Sequence, residues 1–509
     1  MRVRTTRRLF RGAIVLVGVV LLGACYLGGT PQSGDITVTL PSSDQLAEAG
    51  LQPQVTGDEI DTARIYLSRA RGSGSTLIDL NTDDENDLNT DDENTDDEDV
   101  AYLEIETDGE ETDVTLSDVP TGAGYRIYVG VSNDDDESLV GYAWTEETFD
   151  VSSGENPAQT LTLKDSDFAA PTDLETAAVN GLTAKDGVVY ASTSSDVFTV
   201  SATDETSELP LGDAGAINSV TGGGEGTDVF VNAEEGIYKV DGTDLTPFDG
   251  YDAEEYSGAL TSIGFTADDT GKTILAFQTE KGLGFSADAT STSEDDWFFF
   301  PTADLLGDTD INLAIFDLVV DTEGDSDRAF LATSVGGFIV TPSAVDALGD
   351  QTDDVVQAIE VFDFYDEAIG SRLAASIAFD TSNDVLYVAA RGAGGAWAIE
   401  LDEDAQGKTT FDETSLSEEE LSIPNRVENV AVQGGASNPL VALLTKDAVI
   451  LYKDGDGVVE VYPFVAYDVE PGQSHLVAFR DKDGDDRDDQ LVVAGSNGVR
   501  VLGSLPDAE

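Results

Sequence analysis

Residues 384–400 read DVLYVAARGAGGAWAIE. Two segments rich in apolar, β-branched and aromatic residues flank a glycine-rich turn, which is the pattern of a β-hairpin. The same arrangement recurs along most of the chain, commonly with a glycine directly before the second segment. The units lie at residues 187–200, 227–240, 273–286, 328–341, 384–400, 439–452 and 489–502.

The spacing of these units predicts the fold. The residues before the last segment of each unit are Asp196, Gly236, Gly282, Gly337, Gly395, Ala448 and Gly498. Their intervals are 40, 46, 55, 58, 53 and 50 residues, close to the period of about 40–50 for propeller blades. Glycine is favoured there because a tight hairpin needs a positive φ angle. We therefore predict an all-β fold in which residues 177–509 form a seven-bladed β-propeller; a sandwich array or a β-solenoid is the alternative.

A second β region precedes the repeats, over residues 35–166. Most of its strand candidates alternate apolar and polar residues, as a strand with one buried face must. They are Ile36–Leu40, Ala63–Ser68, Val100–Glu106, Thr112–Leu116, Tyr125–Val131, Leu139–Trp144 and Thr160–Leu163. We predict an N-terminal β-sandwich, joined to the propeller by a linker at 167–176.

One segment of this region carries a family resemblance. Residues 114–127 read VTLSDVPTGAGYRI, which resembles a hallmark of small prealbumin-like sandwiches. In that family a strand ends in a Pro-Gly turn, and the chain re-enters the fold through an aromatic residue. The resemblance implies a prealbumin-like sandwich over 35–166.

The sandwich region also contains an acidic repeat. Residues 79–86 read DLNTDDEN and are repeated at 87–94, and the acidic run continues to residue 99. The segment has too few apolar residues to fold alone, so we expect a disordered, solvated loop over 79–99. The alternative is a calcium-binding loop, since its side chains supply hard oxygen ligands.

The N-terminus has the parts of a secretory signal. Five arginines in the first eleven residues are followed by an apolar run from Gly12 to Leu22. As a helix this run reaches only about 16 Å, roughly half of a hydrocarbon core, so a permanent span is not expected. The sequence Leu22-Gly23-Ala24-Cys25 resembles the lipobox of bacterial and archaeal lipoproteins. The resemblance implies a signal peptide at 1–24, a lipid on Cys25 and a tether at 25–34.

These features predict an extracytoplasmic protein, held at a membrane by its N-terminal lipid. The segment Thr6–Arg11 also resembles a twin-arginine signal, and both that route and the general secretory route stay open. Cys25 is the only cysteine of the chain. A lipid on Cys25 leaves no thiol for a disulfide bond, so stability must come from packing, strand pairing and bound ions.

Charge restricts the environment and the partners. The chain has 102 acidic and 25 basic residues, a net charge of −77, and the excess extends over the mature chain. We interpret this as the surface of a halophile's protein, because molar salt shortens the Debye length to about 3 Å and screens the repulsion. The alternative is a surface that collects cations. Nucleic acids and anionic lipid headgroups are excluded as partners, because phosphate binding needs a basic footprint.

The sharpest chemical motif is DKDGDDRDD at residues 481–489, directly before the strand-like Gln490-Leu491-Val492-Val493. It resembles the DxDGDxxxD calcium loop of integrin-type propeller blades. The resemblance implies calcium with Gly484 at the turn and a defined ligand set. The ligands would be the side chains of Asp481, Asp483, Asp485 and Asp489 and the carbonyl of Arg487. Chance clustering in so acidic a chain is the alternative.

A weaker copy lies at the corresponding turn of the fourth unit. Its candidate ligands are Asp321, Glu323, Asp325 and Asp327, but Ala329 stands where the last ligand belongs. The segment Asp454–Gly457 has the turn without the ligands, and we interpret it as a plain hairpin.

No catalytic group stands out. His475 is the only histidine, and we expect it to have a core or surface role. The sequence lacks the GxSxG, HExxH and P-loop motifs. We interpret the propeller as a protein- or glycan-binding or scaffold module. The alternative is a calcium-dependent propeller hydrolase of the lactonase or glycosidase type. Of the tryptophans, we assign Trp397 to the core and Trp297 to an exposed aromatic or an outer strand.

The charge generates the first testable prediction. Because a net charge of −77 repels itself unless it is screened, the melting temperature should rise steeply between dilute buffer and molar NaCl. Differential scanning calorimetry over a NaCl series measures this. A melting temperature that does not respond to salt would contradict the halophile interpretation.

Overall fold

A computed structural model describes the strands of the chain and the tighter turns between them. The described residues of the N-terminal region are 33–40, 62–69, 103–106, 112–133, 138–145, 147–161 and 164–165. Those of the repeats, up to residue 340, are 178–203, 205–210, 215–222, 229–234, 236–242, 244–247, 262–267, 273–279, 282–286, 297–301, 315–321, 328–333 and 336–340. The remainder are 359–362, 374–380, 382–390, 395–403, 409–416, 427–434, 436, 438–464, 474–481, 490–496 and 498–505.

Ten strands form the N-terminal region. They are β1 (Ser33–Leu40), β2 (Thr62–Arg69), β3 (Leu103–Glu106), β4 (Thr112–Pro120), β5 (Gly122–Asn133), β6 (Ser138–Trp144), β7 (Phe149–Val151), β8 (Gly154–Glu155), β9 (Gln159–Thr160) and β10 (Lys164–Asp165). The smaller sheet has the order β4-β1-β8, with β9 also paired to β1. The larger sheet has the order β10-β6-β5-β2-β3, with β7 paired to β5.

The two sheets enclose one apolar core, as the alternating pattern predicted. Ile36 and Val38 of β1 and Ile65 and Leu67 of β2 are fully buried in it. Because successive side chains of a strand point to opposite faces, the alternate residues of β2 and β5 lie on the outer face of the larger sheet. That outer face packs against the sixth blade of the propeller.

The predicted turn after β4 is present in detail. The strand ends at Pro120, β5 begins at Gly122, and Gly124 has a φ of 77°. Tyr125 is fully buried, and its hydroxyl donates to the Pro120 carbonyl at 2.6 Å. The turn carries the chain from one sheet of the sandwich to the other.

One strand candidate is corrected. Residues 160–163 were expected to form a single strand. Instead β9 pairs parallel with β1 in the smaller sheet and β10 pairs with β6 in the larger one, so the chain crosses between the two layers here. At the other end, β1 begins at Ser33, two residues before the expected start of the region.

The repeats form seven consecutive antiparallel sheets. The first three blades contain β11 (Gly181–Lys185), β12 (Val188–Ser192), β13 (Val197–Val200), β14 (Thr206–Leu209); β15 (Ile217–Gly222), β16 (Val229–Ala233), β17 (Gly236–Asp241), β18 (Asp244–Pro247); and β19 (Ser262–Ala267), β20 (Thr273–Thr279), β21 (Gly282–Ser286), β22 (Trp297–Pro301). The fourth and fifth contain β23 (Ile315–Asp321), β24 (Arg328–Thr333), β25 (Gly336–Val340), β26 (Ile359–Phe362); and β27 (Ala374–Asp380), β28 (Val385–Ala390), β29 (Gly395–Glu403), β30 (Thr409–Ser415). The last two contain β31 (Asn429–Val432), β32 (Leu440–Leu444), β33 (Ala448–Lys453), β34 (Gly457–Pro463); and β35 (Ser474–Arg480), β36 (Gln490–Gly495), β37 (Gly498–Ser504).

The first strands of the blades form a closed ring. Strands β11, β15, β19, β23, β27, β31 and β35 contact one another in this order, and β35 contacts β11. Each of the seven predicted hairpins is the second and third strand of a blade. The predicted all-β fold, a sandwich followed by a propeller, is therefore confirmed, with seven blades among the described residues.

In three blades the turn before the third strand has the predicted positive φ angle. Gly236, Gly395 and Gly498 begin their third strands with φ angles of 150°, 69° and 95°. Blade 6 has Ala448 there and uses a different device. The hydroxyl of Thr445 accepts the backbone N–H of Ala448 at 3.1 Å, which closes the turn without a positive φ.

The aromatic assignments also agree with the fold. Trp297 begins β22, the outermost strand of blade 3. Trp397 is half-buried against the core shared by blades 4 and 5. Among the described residues, no helix is long and apolar enough to cross a membrane. Residues 1–32 with Cys25, the loop 79–99 and the linker 167–176 lie outside the described residues.

Candidate functional site

Polar side chains near the start of the innermost strands connect one blade to the next. We call this set the inter-blade belt; its members are Asn180, Asp317, Ser376, Asn429 and His475. Innermost strands face the centre of a propeller, so the belt lies at one end of the central channel.

Blades 4 to 7 are linked by three belt members. The Ser376 hydroxyl donates to Asp317 Oδ2 at 2.7 Å, and the same oxygen accepts the N–H of Ile377 at 3.0 Å. Asn429 Nδ2 donates to Ser376 Oγ at 3.0 Å, and Asn429 Oδ1 accepts the N–H of Val477 at 3.0 Å. Each hydrogen bond crosses from one blade to its neighbour.

The belt continues across the junction of the last and first blades. His475 Nε2 lies 2.8 Å from the carbonyl oxygen of Val179. A carbonyl oxygen only accepts hydrogen bonds, so Nε2 carries the proton and donates it. Asn180 Nδ2 then donates to the Ile217 carbonyl at 2.9 Å in blade 2. The single histidine therefore links blade 7 to blade 1.

Backbone bulges place these side chains. The pairing of the first and second strands shifts register between Ile217 and Ser219, Ile315 and Asp317, Ala374 and Ser376, and Ser474 and Leu476. A bulge bends the strand and redirects a side chain. In blades 4, 5 and 7 it falls at or next to a belt member, and in blade 2 it falls next to Ile217, whose carbonyl accepts from Asn180.

At Gly181, next to Asn180 of the belt, blades 1 and 2 are too close together to leave room for a side chain. A Cβ added to Gly181 would lie 2.4 Å from the backbone nitrogen of Val220 and 2.6 Å from Ser192 Oγ. Real Cβ atoms essentially never come this close to other atoms. Glycine is needed here for the contact between blades rather than for its φ angle.

A second polar link joins blades 7 and 1 at the other end of β35. Arg480 is fully buried, and its Nη1 donates to the carbonyl of Ser201 at 3.1 Å. Its Nε donates to Gln490 Oε1 at 3.0 Å, and its Nη2 donates to the same oxygen. His475 and Arg480 therefore connect blade 1 to the two ends of one strand.

Apolar packing and one backbone hydrogen bond complete this junction, which we call the seam. Val179 N–H donates to the Gly495 carbonyl at 2.9 Å. Buried residues of blades 1 and 7 form one cluster across it. They are Val179, Val189, Ala191, Val200, Val492, Ala494, Val499 and Val501.

The structure fixes the ends of the main predicted calcium loop. Asp481 is half-buried directly after β35, and Gln490 begins β36, with Arg480 opposite Gln490 in register. Asp483, Gly484, Asp485, Arg487 and Asp489 lie outside the described residues. The motif thus connects the first two strands of blade 7.

The weaker copy occupies the same hairpin of blade 4. Asp321 ends β23 opposite Arg328, while Glu323, Asp325 and Asp327 lie outside the described residues. The third predicted turn, Asp454–Gly457, is a hairpin between β33 and β34, as expected. In it Asp456 N–H donates to the Lys453 carbonyl at 3.2 Å.

In the corresponding hairpin of blade 5, the protein itself supplies the hydrogen-bond donors to an acidic side chain. Asp380 is 3% exposed at the end of β27; its carboxylate accepts the N–H of Ser382 at 2.9 Å and Nδ2 of Asn383 at 2.7 Å. Burial, and secondarily Asp380, raises the pKa of Tyr387. Across the described residues, no group of three or more His, Cys, Asp or Glu side chains is arranged to hold a metal ion.

Sequence reasoning missed the belt and Asp380. A usable signal existed, because a polar residue recurs near the start of the innermost strands in Asn180, Asp317, Ser376, Asn429 and His475. Their partners could not be identified, since they belong to neighbouring blades 37 to 59 residues away in sequence, or 296 residues away for His475.

No family model and no curated protein matches the chain. Several solved structures resemble it. Virginiamycin B lyase from Staphylococcus aureus is 14% identical, with a TM-score of 0.43 over 66% of this chain and 98% of the lyase. The β-propeller domain of Cps50 (Swd1) from Myceliophteria thermophila is 12% identical, with a TM-score of 0.45 over 65% of this chain and 99% of that domain.

A third similar structure is PorZ, a surface component of the type-IX secretion system of Porphyromonas gingivalis. It is 11% identical, with a TM-score of 0.44 over 78% of this chain and 59% of PorZ. The propeller architecture of this chain follows from its own closed ring of seven described sheets.

The belt generates the second prediction. Ser376→Ala should lower the free energy of unfolding by about 1–3 kcal/mol, because it removes the buried hydroxyl that bonds the half-buried Asp317 and Asn429 of the two neighbouring blades. Ser376 is 1% exposed. Chemical denaturation at fixed molar NaCl measures the change.

Ser207→Ala is the matched control, because Ser207 is exposed on the outermost strand of blade 1. Its effect should stay within about 0.5 kcal/mol. Equal stabilities of the two variants would show that the belt does not hold the blades together.

Proposed function

We propose that this chain is a lipid-anchored extracytoplasmic protein of a halophile whose propeller is a binding or scaffold module for a protein or a glycan. The belt is the observation that carries the proposal. Its polar groups form hydrogen bonds between blades. A ring that is held rigid in this way is suited to binding a partner on its surface.

The chemistry of His475 favours binding over catalysis. A general base needs a ring nitrogen directed at a substrate proton. Here Nε2 donates to a backbone carbonyl of another blade, which fixes the ring as a structural link. The alternative, a calcium-dependent hydrolase, would have to place its chemistry on carboxylates around an ion.

The surface charge restricts the ligand. A net charge of −77 attracts cationic partners and repels anionic ones, and molar salt weakens both effects. We therefore propose a neutral or cationic ligand, such as a neutral glycan or a basic protein segment, rather than an acidic polysaccharide.

The position of β1 is compatible with the proposed anchor. It begins at Ser33, eight residues after Cys25. Eight residues span at most about 29 Å even when fully extended. A lipid on Cys25 would therefore hold the sandwich close to the membrane surface.

Calcium remains part of the proposal. Since β35 and β36 fix the two ends of the motif at 481–489, one ion would join carboxylates that otherwise repel each other. The role proposed for it is to stabilise the hairpin of blade 7, next to the seam.

The anchor is tested by Cys25→Ser. The wild-type protein should enter the detergent phase in a phase-partitioning experiment on host membranes, and the variant should stay in the aqueous phase. Washing at molar NaCl removes electrostatic attachment. A variant that remains membrane-bound under these conditions would contradict lipid anchoring.

The binding function is tested with the mature protein at molar NaCl on an array of neutral, cationic and anionic glycans and peptides. We expect saturable binding in the neutral or cationic group, without turnover of lactone and glycoside substrates. Calcium at a hundred times its dissociation constant should stabilise the wild type by about 2.7 kcal/mol, and Asp483→Ala should lose most of this gain.

Three outcomes would each contradict part of this proposal. Turnover that disappears both with chelator and in Asp483→Ala would support the hydrolase instead. Binding confined to anionic ligands would contradict the charge argument. Equal calcium responses in the two proteins would show that 481–489 is only another acidic loop.

A further inference from the structure

The larger sheet of the sandwich is buried on both faces. Its outer face carries Tyr66, Ser68, Arg126 and Tyr128, each at most 1% exposed, and Tyr142, at 4%. These residues alternate with the core residues of β2, β5 and β6. A free sandwich would expose this face to solvent, whereas here blade 6 covers it.

Aromatic packing forms one half of this interface. Tyr142 stacks on Trp144 with ring centroids 5.9 Å apart, and it contacts Tyr462 of β34 at 6.2 Å. Its hydroxyl lies 3.3 Å from Glu460 Oε1 and donates to it. Aromatic rings that bury this much surface dominate the energetics of most interfaces.

A buried polar cluster forms the other half. Asp447, 1% exposed in the turn between β32 and β33, accepts a hydrogen bond from the Ser68 hydroxyl. Tyr128 of β5 lies close enough to both Arg126 and Asp447 for their charges to act on its hydroxyl. Burial raises the pKa of Tyr128 to about 12, with Arg126 lowering it and Asp447 raising it. The sandwich thus contributes a buried cation and the propeller a buried anion.

The first strand of the sandwich lies in the sheet that faces away from the propeller. Strand β1, which begins at Ser33, belongs to the smaller sheet, while blade 6 covers the larger one. The sheet that contains β1 and the sheet that contacts the propeller are therefore the two opposite layers of the sandwich.

We infer that the sandwich is a fixed bracket, which docks permanently on blade 6 and holds the propeller in one orientation. The bonds from Ser68 to Asp447 and from Tyr142 to Glu460 reinforce this docking, because separating the domains would expose apolar rings and break these hydrogen bonds. The consequence for orientation at the membrane rests on the proposed lipid anchor. The rigid docking does not.

Spin-label distances test the docking in the soluble Cys25→Ser protein, so the result does not depend on lipidation or ligand. Labels are placed at Thr115→Cys on exposed β4 and Ser207→Cys on exposed β14. Double electron–electron resonance in molar NaCl should give one narrow distance distribution. A broad distribution in the otherwise unmodified protein would overturn the inference.

Substitutions at the interface make the test specific. Asp447→Ala should broaden the distribution and divide the single calorimetric transition into two. Asp456→Ala is the control, since its side chain is 62% exposed in another turn of the same blade, and it should behave as the wild type. An Asp447→Ala protein with an unchanged narrow distribution and one transition would contradict the inference.

A double variant separates undocking from misfolding. Arg126→Leu combined with Asp447→Leu removes both buried charges at once, and apolar replacement of a buried pair is often tolerated. It should recover the narrow distribution that Asp447→Ala loses. Failure of the double variant to recover it, with both domains still folded, would show that the pair does not act as a matched unit.

Discussion

The seam between the last and first blades is the contact on which the rest of the ring depends. Blades 1 to 6 are each followed in sequence by the blade that they contact. Blades 7 and 1 are the exception, because their contacting residues are some three hundred positions apart. Cys25 is the only cysteine of the chain, so no disulfide within the chain can close this gap. The described strands of the two blades also belong to separate sheets. Closure therefore rests on the apolar cluster, on the bond from Val179 to Gly495, and on His475 and Arg480 at the two ends of β35.

The belt and the seam rely on internal hydrogen bonds rather than on surface ion pairs, as suits so acidic a chain. Attractions between exposed charges are weak in molar salt because they are screened. Buried hydrogen bonds such as those of Ser376 and Arg480 are shielded from the solvent ions. Two of the chain's basic residues, Arg126 and Arg480, are at most 1% exposed. Arg480 donates across the seam, and Arg126 lies on the face of the sandwich that packs against blade 6. We therefore attribute the relative positions of the blades to buried polar groups rather than to surface charges.

The local parts of the fold could be predicted from sequence, and the contacts between distant parts could not. The hairpins, the glycines before the third strands and the alternating sandwich strands depend on neighbours a few residues away, so Gly395 and Tyr125 could be assigned correctly. The partners of Asn429, Arg480 and Asp447 lie in other blades or domains, and one sequence does not say which. The alternation that predicted one buried face for β2 and β5 also concealed the second, because Tyr66 and Tyr128 look like ordinary amphipathic strand residues.

Hydrogen exchange at the Val179 amide tests ring closure most directly. This N–H is held by the carbonyl of Gly495 in the last blade, so its protection reports the seam and nothing within blade 1. With fragment-resolved mass spectrometry in molar NaCl, a closed ring predicts that the Val179 amide exchanges as slowly as the paired amides of β11 and β12. Exchange of Val179 at the rate of an unstructured amide, while β11 and β12 stay protected, would show that the ring is open and would contradict the account.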